Sequence, residues 1–414
     1  MAAEVPIVDL AAPRDELVEA VRAAFSATSN AQCPGMLRLK MSALHAAQLR
    51  AVHAESRQFF ELPAAAKGEY LTAPGYPSGP HRCGGYKPQK AYEDADGRLH
   101  MLNEWFVAGC PRPIDRSVEP SYYNTEEGRH FFADDTPRNW PAEVPGLRPA
   151  ADEYFLTTER VCFQLLDAFE AVLGCEPGEL LNRARREPFY VTTIAHYPEQ
   201  SVPPPEGQMR IDPHYDQSFF ALVGTCDAGL PSGNLEVRGM DDEWREVGLG
   251  EGELVLNCGE QLARLSNGML HHAVHRVQNP QPTAEPGSTS RISVMTYYQV
   301  DYDAAITPLP SSVAASGIPP KYPESRAGEL ILYTDPELSE LLGYDLEAQN
   351  KMRIAQGLYD EASNMMAVAR PSDYTEVDLD ITTETLEEAG GLVGVRAAER
   401  TTLKSIAPQR TSRL

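Results

Sequence analysis

The sequence predicts a mostly β core with a cover of α-helices. Between residues 188 and 300, short β-type runs are separated by clusters of Gly, Pro, Asn and Asp, at intervals typical of sandwiches and jelly rolls. Residues 14–28, 42–60 and about 150–174 instead carry apolar residues at helical spacing. A continuous strand region with helices before it therefore indicates a sheet core packed under helices.

Local patterns define the individual elements. Ser42 is a suitable N-cap for the second helix, and Pro63 ends it. Residues 75–150 are rich in Gly, Pro and Tyr, so we expect a long, irregular cover there. The β-type runs are, in chain order, PFYVTTIAHY, QSFFALVG, NLEVRG, WREVGL, ELVLNCG, HAVHRVQ and RISVMTYYQV.

A chain of 414 residues is long enough to bury a sizeable core. We expect three regions. Residues 1–185 form a helical and irregular cover packed on the core, residues 186–305 form the core, and residues 306–414 form a helical extension with a polar tail. The basic end of that tail, residues 396–414, is a candidate mobile cover that docks on an acidic surface.

Composition excludes several classes of partner. The net charge of −24 argues against a nucleic-acid groove or an anionic membrane. The N-terminal residues do not resemble a signal peptide, and no stretch reaches the roughly 18 apolar residues of a membrane span. The seven cysteines are scattered and never spaced as CxxC, so we expect no disulfide framework or structural zinc and a cytoplasmic location.

The stretch DPHYDQSFFALV contains His214 and Asp216, two residues apart. In a strand both side chains would point to the same face, and a further histidine would complete the facial metal site of two histidines and one carboxylate that non-haem Fe(II) oxygenases use. His271, His272 and His275 are the candidates for the third ligand. The i, i+4 pair in HHAVH is not a zinc protease motif, because it lacks the glutamate of HExxH and lies between β-type runs.

The surrounding sequence resembles the isopenicillin N synthase-like branch of the Fe(II)/2-oxoglutarate oxygenases, which includes bacterial cephalosporin-forming enzymes and plant 2-oxoglutarate dioxygenases. The segments that carry the resemblance are VPIVDL (5–10), RQFFELPAAAK (57–67), NEWFVAG (103–109), NWPAEVPGLRP (139–149), HYP (196–198), HYD (214–216), GNLEVR (233–238), VLNCGEQLARLSNGMLHHAVHRV (255–277) and RIS (291–293). Their order over more than 300 residues is more specific than any one of them.

The resemblance implies a double-stranded β-helix, or jelly roll, and selects one histidine. In the family pattern NG-x6-HRV the metal ligand precedes Arg-Val, so His275 joins His214 and Asp216 as a ligand of Fe(II). His271 and His272 are then neighbours on the same strand, with contacts to the ligands as a lesser alternative.

The resemblance also implies a cosubstrate site. Arg291 and Ser293 form the family's RxS pair and would bind the C5 carboxylate of 2-oxoglutarate, with a further hydrogen bond from Tyr197. The family's usual Asn-x-Tyr is here Ala195-His196-Tyr197, which makes the role of Tyr197 less secure.

The implied activity is oxidation of a C–H bond by hydroxylation, desaturation or ring formation, with release of succinate and CO2. The implied cofactors are Fe(II), 2-oxoglutarate and O2, with stimulation by ascorbate. The expected partner is a small natural-product or amino-acid-derived substrate, for a monomer or homodimer. Two alternatives remain: a 2-oxoglutarate-independent Fe(II) oxidase and a non-catalytic metal-binding jelly roll. Halogenation is disfavoured because Asp216 occupies the position that a halide would need.

The substrate is less well defined. The strand before HYP reads YVTTIA and lacks the arginines that cephalosporin-forming enzymes use to hold a penicillin carboxylate, which argues against a β-lactam. Residues on strands flanking the ligands are expected to line the pocket, namely Phe219, Leu222, Thr192 and Tyr298.

Overall fold

The structure is a computed structural model. It describes residues 5–26, 35–71, 85–88, 90–93, 99–100, 102–111, 117, 124–125, 140–184, 191–200, 202–227, 235–283, 287–301, 303–322, 324–332 and 375–378. The predicted mobile cover at residues 396–414 lies outside the described residues.

Within the described residues, strands dominate the region that the sequence predicts to be β. They are β1 Ile7–Asp9, β2 Met36–Lys40, β3 Gly85–Lys87, β4 Lys90–Glu93, β5 Leu99–His100, β6 Glu104–Gly109, β7 Val191–Tyr197, β8 Met209–His214, β9 Phe220–Thr225, β10 Leu235–Arg238, β11 Trp244–Glu246, β12 Glu253–Cys258, β13 His275–Gln278, β14 Arg291–Tyr298 and β15 Thr375–Asp378. The helices are α1 Arg14–Phe25, α2 Ala43–Phe60, α3 Ala64–Gly68, α4 Leu147–Leu173, α5 Leu181–Ala184, α6 Glu260–Leu265, α7 Pro310–Ser316 and α8 Ala327–Leu332.

Two sheets build the core. The major sheet has eight strands in the order β1-β2-β12-β9-β14-β7-β6-β3, and the minor sheet has four in the order β11-β10-β13-β8. Apolar residues of both sheets meet between them, including Met295 of the major sheet with Ile211 and Val277 of the minor sheet. A separate three-stranded sheet has the order β15-β4-β5, and its strand β5 contacts β8 of the minor sheet. The mostly β core is therefore confirmed, and its interior is the space between two facing sheets.

Helices cover the outer face of the major sheet. Helix α2 begins as predicted, because the Ser42 hydroxyl accepts a hydrogen bond from the His45 backbone N–H at 3.2 Å. Helix α4 spans 27 residues and ends at Gly174, whose left-handed φ of 64° suits glycine. Phe169 on α4 stacks on Phe220 of β9 with centroids 5.8 Å apart, which joins the helical layer to the sheet.

The structure refines three expectations about organisation. The described residues of the stretch 75–150, which was expected to be irregular, include four strands, and β6 is inserted in the major sheet. Residues 1–185 are therefore more than a cover, because β1, β2, β3 and β6 complete the sheet of the core. The C-terminal region contributes β15 as well as the short helices α7 and α8.

In the part of the chain that the structure describes, no helix combines the length and the apolar character needed to cross a membrane.

Candidate metal centre and active site

The three predicted metal ligands converge at the edge of the interior. The ligand atoms of His214, Asp216 and His275 all lie within 4.8 Å of one another, and they form the group with metal-binding potential found among the described residues. The two imidazole rings have centroids 4.2 Å apart. His214 Nε2 lies 3.9 Å from Asp216 Oδ1. Two imidazoles and one carboxylate on one side of a cavity are the donor set of facial Fe(II) sites.

Strand pairing positions the two histidines. His214 ends β8 and His275 begins β13, and these residues are directly opposite each other in the antiparallel pair. Asp216 lies beyond the end of β8, so the expectation that a single strand carries both His214 and Asp216 is not met. Its loop is fixed by α6 instead, because Glu260 N–H donates to the Asp216 carbonyl at 2.8 Å and Gln261 N–H donates to the Ser218 carbonyl at 3.2 Å.

Hydrogen bonds set the orientation of both rings. His214 Nδ1 lies 2.8 Å from the carbonyl oxygen of Asp212, and His275 Nδ1 lies 2.9 Å from that of Ala273. A carbonyl only accepts, so each Nδ1 carries a proton, and in a neutral ring this leaves the lone pair on Nε2. Metal-binding histidines are held in the same way in other sites. The rings are thus in the tautomer that a metal at Nε2 requires.

Asp216 is oriented by a residue that the sequence analysis did not single out. Asn257, at the end of β12, donates from Nδ2 to Asp216 Oδ2 at 2.6 Å. Such a bond occupies one carboxylate oxygen and leaves Oδ1 directed to the histidines. Asn257 stands inside the quoted segment VLNCGEQ, but its role depends on the pairing of β12 with β9, which sequence alone does not define.

The centre favours an uncharged imidazole. Burial and the neighbouring His275 lower the pKa of His214 to about 4, although Asp216 opposes the shift. His214 is therefore neutral at physiological pH and available as a ligand.

The predicted cosubstrate residues lie together where β14 begins, beside the end of β7. Arg291 and Tyr197 are directly opposite each other on β14 and β7. Arg291 Nε donates to Ser293 Oγ at 3.2 Å, so the RxS pair is preorganised. Burial lowers the pKa of Arg291, while Tyr197 and Asp227 act in the opposite direction. A partly buried guanidinium beside a hydroxyl suits a carboxylate ligand.

Comparisons with known proteins agree with this geometry. Residues 188–300 match the family model of the 2OG-Fe(II) oxygenase superfamily. The chain carries a 2OG-Fe(II) oxygenase domain. Validamycin A dioxygenase of Streptomyces hygroscopicus subsp. limoneus is 27% identical over 294 residues, which cover 70% of this chain and 74% of that protein. A homoarginine-6-hydroxylase of Arabidopsis thaliana is 26% identical over 66% of this chain and 73% of that protein.

Solved structures support the fold. A 2OG-Fe(II) oxygenase family protein of Caulobacter crescentus aligns with a TM-score of 0.62 and 24% identity, over 80% of this chain and 97% of that one. The jelly-roll prediction is confirmed at the level of the fold. The oxygenase is a non-haem Fe(II)- and 2-oxoglutarate-dependent dioxygenase. Membership of the isopenicillin N synthase-like branch stays a prediction.

The residues of the oxygenase that were expected to line the substrate pocket do not face the interior between the sheets. The four residues named from the sequence lie on the helix-facing side of the major sheet, not on the side that carries Arg291. They are Phe219, against Phe169; Leu222, in the main core; Thr192, 3.1 Å from Thr296; and Tyr298, stacked on Phe220.

The interior face of the oxygenase carries the alternate residues. Met295 and Val223 are opposite each other on β14 and β9, and they pack with Tyr297, Trp105 and Leu235 between the sheets. Because successive strand residues point to opposite faces, these side chains replace the predicted set as candidates for the lining. The interior near the cosubstrate residues is therefore mainly apolar and aromatic in the described part of the chain.

His271 and His272 of the oxygenase precede β13 and are not strand residues. The His272 ring packs edge-on against Tyr215 with centroids 4.7 Å apart, and Tyr215 separates the ligands His214 and Asp216 in sequence. The contact is with Tyr215 and not with a proposed ligand, so the lesser alternative for His272 stays a prediction.

Proposed function

We propose that His214, Asp216 and His275 bind the Fe(II) of this dioxygenase. The observation that carries the proposal is the combination of three convergent ligand atoms with both Nδ1 atoms bonded to backbone carbonyls. Three protein ligands leave open positions for a cosubstrate and O2. A purely structural site would instead be closed by a fourth protein ligand.

The cosubstrate is proposed to lie between the metal centre and the end of β14. Arg291 and Ser293 would bind its distal carboxylate through a charge-assisted fork and a hydroxyl group. Tyr197, opposite Arg291, would close this end of the site. The other end of 2-oxoglutarate would then reach the open positions at the metal.

The proposed reaction is oxidation of a C–H bond in a small natural-product or amino-acid-derived molecule. When bound, Fe(II) and 2-oxoglutarate supply the O2 chemistry, with succinate and CO2 as products. The chain contributes orientation and the exclusion of water, which the apolar interior around Met295 and Tyr297 provides. The names of the relatives, a validamycin A dioxygenase and a homoarginine-6-hydroxylase, support a small-molecule substrate.

Ligand substitution tests the metal assignment. His275→Ala should abolish Fe(II)-dependent succinate release, because two remaining ligands do not define the site, while thermal unfolding changes little. His272→Ala, its matched control in the same segment, should retain most of the activity. The reverse pattern would assign the ligand to His272 instead.

Anaerobic titration tests the cosubstrate assignment separately from turnover. Wild-type protein loaded with Fe(II) should develop a weak charge-transfer absorption band on addition of 2-oxoglutarate, and His275→Ala should not. Oxidation that proceeds without consumption of 2-oxoglutarate would favour the Fe(II) oxidase alternative.

A further inference from the structure

A second buried arginine lies near the proposed cosubstrate end of the interior. Arg210, on β8, is 1% exposed. It precedes the ligand His214 by four residues, which corresponds to at most about 13 Å along a strand. Its guanidinium lies 5.5 Å from the centroid of the Tyr197 ring, and Tyr197 is directly opposite Arg291. Arg210 and Arg291 therefore both lie beside Tyr197.

The described contacts of Arg210 are all with uncharged acceptors. Its Nε donates to Asn279 Oδ1 at 3.3 Å, and one terminal nitrogen donates to the Pro198 carbonyl at 3.0 Å. The other terminal nitrogen, Nη1, is buried and has no hydrogen-bond partner in the described part of the chain. Transfer of a charged group from water into a protein interior is costly unless an opposite charge compensates for it.

The charge of Arg210 is correspondingly unfavourable. Burial lowers the pKa of Arg210 to about 9, and the nearby Arg291 contributes to the lowering, while Tyr197 opposes it. Two guanidinium groups that repel each other are both stabilised by a shared anion. The proposed cosubstrate has a carboxylate at each end, and the end opposite the metal would lie beside this pair.

We infer that Arg210 is a second specificity-determining arginine, which acts with Arg291 on the distal carboxylate of 2-oxoglutarate. The inference rests on the proposed function of Arg291 and extends it. It makes the enzyme selective for a 2-oxo acid with two carboxylates over one with an apolar tail. A 2-oxo monoacid presents the same oxo-acid head to the metal but offers no carboxylate to Arg210.

Two probe ligands separate this role from a structural one. Enzyme loaded with Fe(II) is titrated under anaerobic conditions with 2-oxoglutarate and with 4-methyl-2-oxopentanoate, and the absorption band gives each dissociation constant. Arg210→Met should weaken 2-oxoglutarate binding roughly 10- to 100-fold, the range for loss of one charge-assisted hydrogen bond. Binding of 4-methyl-2-oxopentanoate should change by less than about twofold, because that ligand has no distal charge.

Three further variants complete the experiment. Arg38→Met is the matched control, since Arg38 lies in the major sheet and pairs with Glu253 at 2.9 Å. It should change neither constant. Arg210→Lys, which keeps the charge without the fork, should weaken 2-oxoglutarate several-fold and remains informative if Arg210→Met does not fold. Arg291→Met should weaken 2-oxoglutarate strongly.

The outcomes distinguish the two proposals. Equal weakening of both 2-oxo acids by the Arg210 variants, or no weakening of either, makes Arg210 a structural residue and overturns the inference. In that case a large loss in Arg291→Met still supports the proposed function. If Arg291→Met also leaves 2-oxoglutarate binding unchanged, the cosubstrate assignment itself fails.

Discussion

Asp227 links the helical cover to the strand that carries the proposed cosubstrate residues. It lies just after β9, and its side chain is 9% exposed. Its Oδ2 accepts hydrogen bonds from His53 Nε2 at 3.0 Å and from the Ile292 backbone N–H at 2.8 Å, and its Oδ1 accepts from Arg57 at 3.2 Å. One buried carboxylate thus holds α2 against β14.

Replacement of Asp227 with Asn should reduce the free energy of unfolding by about 3 kcal/mol at neutral pH. The Asn oxygen in the Oδ2 position can still accept from His53 and from the Ile292 N–H, but it is uncharged, and the Asn NH2 group then faces Arg57. The loss of the charge-assisted part of these bonds accounts for about 1.5–3 kcal/mol. Arg57 is 41% exposed, so its ion pair adds at most about 1 kcal/mol.

The effect should depend on pH in a defined direction. Burial alone raises the pKa of Asp227, but the hydrogen bond and charge of His53, with the Ile292 N–H and Arg57, outweigh it and hold the pKa below the ordinary 3.8. A depressed pKa in the folded state means that the carboxylate stabilises the fold above the ordinary value and loses this effect as pH falls through the folded pKa. The difference between wild type and Asp227→Asn should therefore be largest near neutrality and shrink in acid.

Urea unfolding at neutral and acidic pH measures the difference, and Asp167→Asn is the control. Asp167 also pairs with an arginine, Arg14 at 2.6 Å, but the two side chains are 48% and 57% exposed, so solvent screens the pair and its loss should change stability far less. Equal effects of the two substitutions, or a difference that persists unchanged in acid, would refute the reasoning.

Asp227→Asn should also affect the proposed cosubstrate site. Ile292 lies between Arg291 and Ser293, so loss of its tether to Asp227 frees the backbone of the RxS pair. We expect the dissociation constant for 2-oxoglutarate to rise several-fold in anaerobic titration, with Fe(II) binding unchanged. An unaltered dissociation constant for 2-oxoglutarate would show that Asp227 contributes to stability only.

Two further predictions concern the segment that supports the ligand loop. Arg264 and Glu260 form an ion pair at 2.8 Å with both side chains 0% exposed, so Arg264→Met alone should cost about 3–5 kcal/mol in urea unfolding. The double variant with Glu260→Leu should recover much of that loss, and additive losses would contradict this account. Gly259→Ala places a Cβ against the carbonyl oxygens of Ser218 and Asp216, so the ligand loop must shift. Fe(II) titration should show weaker binding in that variant, and an unchanged affinity would count against the close approach.

Helix positions were predictable because helical periodicity and capping are local properties. The Ser42 cap and the end of α2 before Pro63 follow from short stretches of sequence. Strand β8 did not stand out as a β-type run, because MRIDPH contains Arg, Asp and Pro. It is a strand through its pairing with β13, and Pro213 is tolerated there because β8 lies at the edge of the minor sheet.

The convergence of the three proposed metal ligands was predictable for a different reason. His214, Asp216 and His275 are distinctive residue types in a family pattern, and that pattern does not depend on knowledge of the strand geometry. The supporting residues Asn257 and Arg210 carry no such pattern. Their importance follows from contacts with residues far away in sequence, which only the assembled sheets define.

The error in the predicted pocket lining could have been avoided from the sequence. If Arg291 and Ser293 point into the interior, alternation along β14 places Met295 and Tyr297 on the same face and Tyr298 on the opposite one. The choice of Tyr298 as a lining residue therefore conflicts with the assignment of the RxS pair by strand periodicity alone. The same rule fails on β8.

Strict alternation on β8 would place Asp212 on the same face as His214. The register between β8 and β13 shifts, however, so that His214 is opposite His275 while Ile211 is opposite Val277. An irregularity of this kind bends the strand and redirects the side chains that follow it. Ile211 consequently packs in the interior with Val277 although it is three positions, an odd offset, from His214. The face of a strand can thus be inferred from sequence only where the ladder is regular, and here it is irregular beside the metal ligands.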